Sequence, residues 1–299
     1  MAAPTTDYAY FPGCSLESTG IAYDKSLRAV FRALGLGLHE IDDWNCCGAT
    51  AYMSVKETVS FAISARNLAL AERQGPRDIV APCSACFLVL AKTRRFLQER
   101  PALREKVDEA LAAAELSCEC RARIRHPLEV LVNDVGIAQL RAAAKRSLRG
   151  HRFACYYGCQ MVRPERYFEP DREFPMAMDD LFRALGAATV DYPLKVRCCG
   201  GMQMVTNEPV GLDLTQGLLD CAVSLGATAI VTTCPMCQFN LELYQDKITA
   251  RAGRDLHLPV LFFTQPLGLA LGCDPAALGF EHQVVPVPGD SLTLAEAGS

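Results

Sequence analysis

Ten of the fifteen cysteines in the chain fall into one pattern that is written twice. The first copy is Cys14, the doublet Cys46-Cys47, then Cys83 and Cys86 in a Cys-x-x-Cys; the second is Cys159, the doublet Cys198-Cys199, then Cys234 and Cys237. The intervening lengths agree, 31 and 38 residues before the doublet and 35 and 34 after it. Glycine precedes the first cysteine and follows the doublet in both copies. Cysteines at such density either build a disulfide framework or bind metal as thiolates. Disulfide-dense folds are small because they lack cores, whereas this chain carries long apolar segments and an odd number of cysteines. Adjacent cysteines also pair poorly with each other, because a disulfide needs separated, converging Cβ atoms. Metal binding is the chemistry to expect.

A closed zinc site takes four ligands and a cubane iron–sulfur cluster four thiolates, but each copy offers five. The surplus sits at the doublet both times. Two neighbouring cysteines project in different directions, which suits two metals of a multinuclear cluster better than two corners around one ion. Iron is therefore favoured over zinc; a zinc-stabilised scaffold, the alternative, leaves one thiol over in each repeat.

The elements that must position these cysteines repeat as well. Tyr8–Phe11 and Arg152–Tyr157 read as strands. Helices follow at Ser26–Leu34 and Met178–Leu185, each stopped by a glycine, Gly35 or Gly186, suited to a left-handed cap. Another helix is expected to open at Ser54, where Ser54 and Glu57 have capping-box spacing and Val55, Val59, Ile63 and Leu68 supply an apolar stripe, and to end near Gly75. Asp78–Ala81 and Ala227–Thr232 read as buried parallel strands that deliver Cys83 and Cys234 at their carboxyl ends. The fold class implied is α/β, two pseudo-symmetric repeats, each a parallel sheet flanked by helices with its cysteines at strand carboxyl ends, where they can converge across more than 70 residues of sequence. The organisation expected is a first repeat over 1–100, a helical connection over 101–150 that includes Pro127–Val132 and Ala138–Leu148, a second repeat over 151–272 and an extended tail over 273–299.

Lys plus Arg total 30 against 34 Asp plus Glu, and the cations are scattered, so no basic stripe is available for nucleic acid. No apolar run approaches the ~20 residues of a membrane span, and the first ten residues lack the pattern of a secretory signal. A soluble, cytoplasmic protein without membrane insertion is expected.

Phe11-Pro-Gly-Cys-Ser15, Asn45-Cys-Cys-Gly48 and Pro82-Cys-Ser-Ala-Cys86, with Tyr157-Gly-Cys159, Arg197-Cys-Cys-Gly-Gly201 and Thr233-Cys-Pro-Met-Cys237, resemble the two cysteine-rich CCG domains of the heterodisulfide reductase B subunit family. The resemblance extends to about Gly272. It implies two noncubane [4Fe-4S] clusters, one held by Cys14, Cys46, Cys47, Cys83 and Cys86, the other by Cys159, Cys198, Cys199, Cys234 and Cys237. It also implies that a disulfide between the clusters is cleaved, each sulfur engaging one iron. The substrate is then a heterodisulfide of two thiol coenzymes, or a protein-bound sulfur carrier as in the sulfur-oxidising heterodisulfide-reductase-like complexes of bacteria. The chain has no ferredoxin-type cysteine run and no early Gly-x-Gly-x-x-Gly, so partners must bring electrons: by resemblance, the ferredoxin-like C subunit and the flavoprotein A subunit of such a complex. CCG domains also serve as electron relays in 2-hydroxy-acid and quinone-linked oxidoreductases, which is the competing function.

Lys195 and Arg197 precede the second doublet and can offset negative charge, while Arg163 and Arg166 can bind an anionic substrate group; taken singly, each reads more readily as part of a solvated charged loop. Cys155 and Cys221 lie in apolar patterns and read as core residues, and Cys155 is the one competitor to Cys159 as a ligand. Cys118 and Cys120 fall in the charged connection. No histidine has ligand spacing to another, and Trp44 reads as a shield beside the first doublet.

Overall fold

The computed structural model describes residues 7–49, 52–75, 77–164 and 171–287. In the first half the elements run β1 (Asp7–Tyr10), α1 (Ile21–Ala33), β2 (Gly37–Glu40), α2 (Tyr52–Val55), α3 (Glu57–Arg73), β3 (Ile79–Val80), α4 (Ser84–Glu99), α5 (Pro101–Ala112), β4 (Ile124–Arg125), α6 (Pro127–Glu129), a wide π-helical turn at Val130–Gly136, and α7 (Ile137–Ala143). The second half runs β5 (Arg152–Tyr156), α8 (Ala177–Ala184), β6 (Ala188–Thr189), α9 (Gln203–Thr206), α10 (Glu208–Ser224), β7 (Ala229–Thr232), α11 (Pro235–Leu243), α12 (Gln245–Ala252), β8 (Val260–Phe262) and α13 (Thr264–Ala270).

Each half builds one parallel four-stranded sheet, in the orders β2-β1-β3-β4 and β6-β5-β7-β8. The order reverses between the first strand and its two neighbours, so a crevice opens at the carboxyl ends of β1 and β3, and of β5 and β7. Cys14, the first doublet and Cys83 all follow strand ends in one half, and Cys159, the second doublet and Cys234 do so in the other.

Glycine stops both first helices as expected. Gly35 and Gly186 adopt φ of +71° and +94°, and the amides of Leu36 and Ala187 reach back to the carbonyls of Phe31 and Phe182, closing the same left-handed cap twice.

Two expectations fail. The helix after the first doublet does not open at Ser54: Lys56 is extended, with φ −139° and ψ 73°, and separates the short α2 from α3. Val55 and Val59 are exposed, and α3 instead buries Ser60, Phe61, Ser64, Ala65 and Leu68. The face is chosen by polar contacts with the doublet, since Ser60 Oγ donates to the Gly48 carbonyl at 2.8 Å and Asn67 brackets the backbone of Asn45. Second, the 101–150 stretch is not wholly helical. It supplies β4, which pairs with β3 (Ile79 opposite Ile124) and completes the first sheet, and Leu148 lies beyond its last helix. Cys118 and Cys120 are therefore in a buried loop before β4 rather than on a helix. Of the expected extended tail, 273–287 is described and packs through two short 3₁₀ turns, with Leu278 fully buried. No helix among the described residues is long and apolar enough to cross a membrane.

Candidate metal centre

The cysteines of the two copies meet in one continuous line. Cys46 acts electrostatically on Cys47, Cys47 on Cys86, and Cys86 on Cys83. Cys83 then faces Cys234 of the other half, where Ser84 Oγ lies 3.4 Å from Thr233 Oγ1, and the influence continues through Cys237, Cys199 and Cys198 to Cys159. Cys199 Sγ and Cys237 Sγ stand 3.5 Å apart. Cys14 is exposed and acts electrostatically on Cys46. The matched cysteines thus form a single succession that passes from one half into the other at Cys83 and Cys234.

Equivalent backbone contacts hold both ends. Gly13 and Gly158 take φ of +72° and +71°, and a Cβ on either would stand 3.0 Å from the sulfur of Cys86 or Cys237. The left-handed turn lets the backbone lie against the Cys-x-x-Cys sulfur, which is why Gly-Cys recurs. The carbonyls around each doublet are pinned by the following helix: Ser60 holds Gly48, and Thr215 Oγ1 donates to the Cys199 carbonyl at 3.0 Å. Asn240 Nδ2 adds bonds to the Cys199 and Gly201 carbonyls and approaches Cys199 Sγ at 3.6 Å. In the first half Trp44 packs edge-on against Phe11, 5.5 Å between ring centroids, beside the doublet.

Proton affinity is unequal along this line, raised at most of the cysteines and lowered at three. Hydrogen bonds from Cys46 and Cys86 draw the Cys47 thiol down to about 4. Bonds from Cys159 and Cys199 hold Cys198 far below the ordinary thiol range, and bonds from Cys237 and Cys83 do so for Cys234. Thiolates that accept from two neighbours are the form in which cysteine binds metal. Among the described residues no three or more Cys, His, Asp and Glu groups close on one point as a single ion needs. An extended row of soft sulfur donors, against which two glycines let the backbone pack closely, fits groups of several metals.

The expected cations fare differently. Lys195 is buried and bonded to Asp179 Oδ2 at 2.9 Å and the Pro175 carbonyl at 3.0 Å, so its ammonium faces its own half and not an incoming anion. Burial requires that pairing, because an unpartnered ammonium in a core is costly. Arg163 is ion-paired with Glu173, and Arg166 lies outside the described residues. Arg197 is exposed beside Cys198, its carbonyl accepting the Tyr156 phenol at 2.6 Å.

Sequence reasoning missed two residues here. His126, at the end of β4, is fully buried and neutral, its protonation opposed by burial down to about 4. Its Nδ1 accepts from the Leu128 amide and its Nε2 lies 3.0 Å from the Pro82 carbonyl and 3.4 Å from that of Thr233. It thereby fastens together the residues just before Cys83 and Cys234. The other is Tyr23, whose buried hydroxyl has no hydrogen-bond partner. Neither has a periodic or spacing signal, though a histidine directly before a Pro-Leu helix start is a recognisable cap.

The chain is similar to known proteins. The family model for a cysteine-rich domain, CCG, matches residues 8–91 and again 153–242. The chain is 32% identical over 281 residues, 93% of its length and 97% of the relative's, to the membrane anchor subunit of the 8-methylmenaquinol:fumarate reductase of Wolinella succinogenes. It is 29% identical over 279 residues, 92% of each chain, to the B subunit of the ferredoxin:CoB-CoM heterodisulfide reductase of Methanosarcina mazei. It is 31% identical over 275 residues, 90% of its length and 91% of the relative's, to an Archaeoglobus profundus protein described as like the B subunit of heterodisulfide reductase. A crystal structure of a hypothetical protein from Helicobacter pylori shares the fold, with a TM-score of 0.77 at 18% identity, over 95% of this chain and 53% of that one.

Proposed function

The chain belongs to the family of paired cysteine-rich CCG domains that includes the B subunit of heterodisulfide reductase, and from that premise we propose that it is the iron–sulfur subunit of a multi-subunit oxidoreductase that reduces or forms a sulfur–sulfur bond. Cys14, Cys46, Cys47, Cys83 and Cys86 would hold one noncubane [4Fe-4S] cluster, and Cys159, Cys198, Cys199, Cys234 and Cys237 the other. When bound, such clusters supply single electrons and iron with affinity for sulfur, so a facing pair matches the two electrons of a disulfide.

The observation that carries this reading is the unbroken succession of thiols from Cys46 to Cys159, crossing between the halves at Cys83 and Cys234. The protein's own groups have defined parts in it. The thiols of Cys47, Cys198 and Cys234, held below the ordinary thiol range by neighbouring sulfurs, would give up a proton to metal more readily. His126 keeps the two Cys-x-x-Cys strands at fixed separation, and the exposed Cys14 and Cys198 turn the ends of the two sites toward solvent. Arg197 is the cation placed to meet an anionic group at the second doublet. Electrons would come from two partners, one ferredoxin-like and one a flavoprotein, and the sulfur substrate would be a small heterodisulfide or a protein-bound carrier.

Anaerobically purified protein tests the assignment. Iron and sulfide near four each per site are expected; about one zinc per repeat with no sulfide would sink it. Electron paramagnetic resonance during titration with thiols then separates two readings. A spectrum altered by a thiol is expected. A spectrum unmoved by thiols but reduced by a quinol would instead make this protein an electron relay, the reading favoured by the menaquinol-linked name of the Wolinella relative.

A further inference from the structure

Cys118 and Cys120 lie outside the matched set, in the buried loop that precedes β4. Their sulfurs are 3.0 Å apart, closer than two thiols that merely pack, and the Cys120 amide donates to Cys118 Sγ at 3.2 Å. Cys120 holds this position against its own preference, since its φ of +56° lies in the left-handed region that a residue with a Cβ avoids. Such a conformation persists only where the surroundings impose it. Here they do. The Glu72 carboxylate accepts from the amides of Glu119 and Arg121 at 2.7 and 2.6 Å, one on either side of Cys120. Gln98 Nε2 donates to the Cys120 carbonyl at 3.1 Å, and Arg104, itself paired with Asp108, donates to that of Cys118 at 2.5 Å. The loop is shaped around the two sulfurs, which thiols packed as small apolar residues would not require.

The residues that alternate with the cysteines reach solvent. Ser117, Glu119 and Arg121 line an open cleft of about 460 Å³ together with Glu72, Arg73 and Arg77, so the sulfurs lie one residue behind an accessible surface. The bond from Cys118 draws the Cys120 thiol below the ordinary range, with the guanidiniums of Arg104 and Arg94 acting in the same direction, which marks Cys120 as the nucleophile of the pair.

We propose that Cys118 and Cys120 are a redox site separate from the metal centre, a dithiol that closes to a disulfide by exchange with a small disulfide entering from this cleft. Cys120, as thiolate, attacks one sulfur of the small disulfide and expels the other as a thiol. Cys118 then gives up its proton and attacks Cys120 Sγ, forming the internal bond and releasing the second thiol. Two electrons pass from the protein pair to the small disulfide, and the two protons leave on its two thiols. The proposal stands whether or not the ten matched cysteines hold clusters.

The test uses the full-length protein, prepared anaerobically with its metal and equilibrated with mixtures of reduced and oxidised glutathione. After acid quenching and alkylation, trypsin leaves both cysteines on one peptide ending at Arg121. Mass spectrometry should find this peptide unalkylated and lighter by a pair of hydrogens under oxidising mixtures, and doubly alkylated under reducing ones. At fixed oxidised glutathione, a roughly tenfold rise in the reduced form should lower the ratio of disulfide to dithiol about a hundredfold, the square that a two-electron exchange requires. Cys118→Ser should trap glutathione on Cys120, whereas Cys120→Ser should leave Cys118 free; the reverse pattern overturns the order of attack. A pair that stays dithiol at every ratio, or that takes up glutathione on both sulfurs without joining, overturns the site. Iron and sulfide counted on the same samples report on the matched cysteines separately.

Discussion

In the first half the last strand of the sheet brings a guanidinium into the interior. Arg125 on β4 is almost fully buried and bonded to Glu129, to Asp134 at 2.9 Å and to Asp78, while the Tyr8 phenol donates to the same Asp134 at 2.8 Å. The strand in the same place in the second half, β8, is Val260–Phe262, and the polar groups around it are amides: Gln245, Gln265 and Gln283, with the single carboxyl of Glu242. The doublets differ in the same way. In the first, Asn67 spends its amide on the backbone of Asn45; in the second, Asn240 turns an N–H toward the sulfur of Cys199. The cysteines were duplicated in register but their surroundings were not. If the two sites hold clusters as proposed, the same ligands in different fields should take up electrons at different potentials.

Removing a thiolate should break the comparison most sharply. Cys198→Ala is expected to abolish the second cluster and leave the first, so that iron analysis reports roughly half the wild-type metal; loss of neither or of both refutes the grouping. His126→Leu comes next. It strands the Pro82 carbonyl and the Leu128 amide and removes the tie between the halves, which should lower unfolding stability by roughly 3–5 kcal/mol in denaturant titration.

Acid and base act on the two halves with opposite sign. His126 stays neutral down to about 4, whereas in the unfolded chain it protonates near 6.5; the stability it confers is present above pH ~6.5 and is lost as the pH falls toward 4. Glu242 is pushed up to about 7 by burial, against 4.5 for an ordinary glutamate, so its folded form prefers the proton. Its stability is present below pH ~4.5 and declines by up to ~3 kcal/mol as the pH rises through 7. Melting curves across pH 4–8 should show Glu242→Gln removing the decline between 4.5 and about 7 while the slope due to His126 remains. The smallest effect should come from Asn240→Leu, which is expected to shift the midpoint of the second cluster to more negative potential and leave the first unmoved; a common shift of both would mean that the sites do not differ in the way their amides suggest.

Much of this was legible from residue spacing. Strands β1, β5, β3 and β7 are short apolar runs ended by glycine or a cysteine turn, and Gly35 and Gly186 announce their caps. Strand β4 was not legible, because two residues, one of them a charged arginine flanked by Arg123, carry no alternation to read. Its placement is decided by Asp78, Glu129 and Asp134, which are scattered through the sequence and meet only in the fold. Ser54 has the spacing of a cap, but the helix answers to Ser60 and Asn67, whose duty to the doublet sets its rotation. Lys195 reads as a cation beside a doublet; nothing local reveals that Asp179 claims it. His126 matters because of where the two halves meet, and a meeting of halves leaves no trace in either one.

That meeting has a consequence for symmetry. Cys83 and Cys234 occupy corresponding positions in the two copies, and they face each other where Ser84 Oγ lies 3.4 Å from Thr233 Oγ1. Contact between a residue and its own counterpart is the signature of a self-complementary surface around a twofold axis, the kind through which two identical chains associate. With both sides carried by one chain, the two sides need not be identical, and the buried arginine of one half and the amides of the other use that freedom.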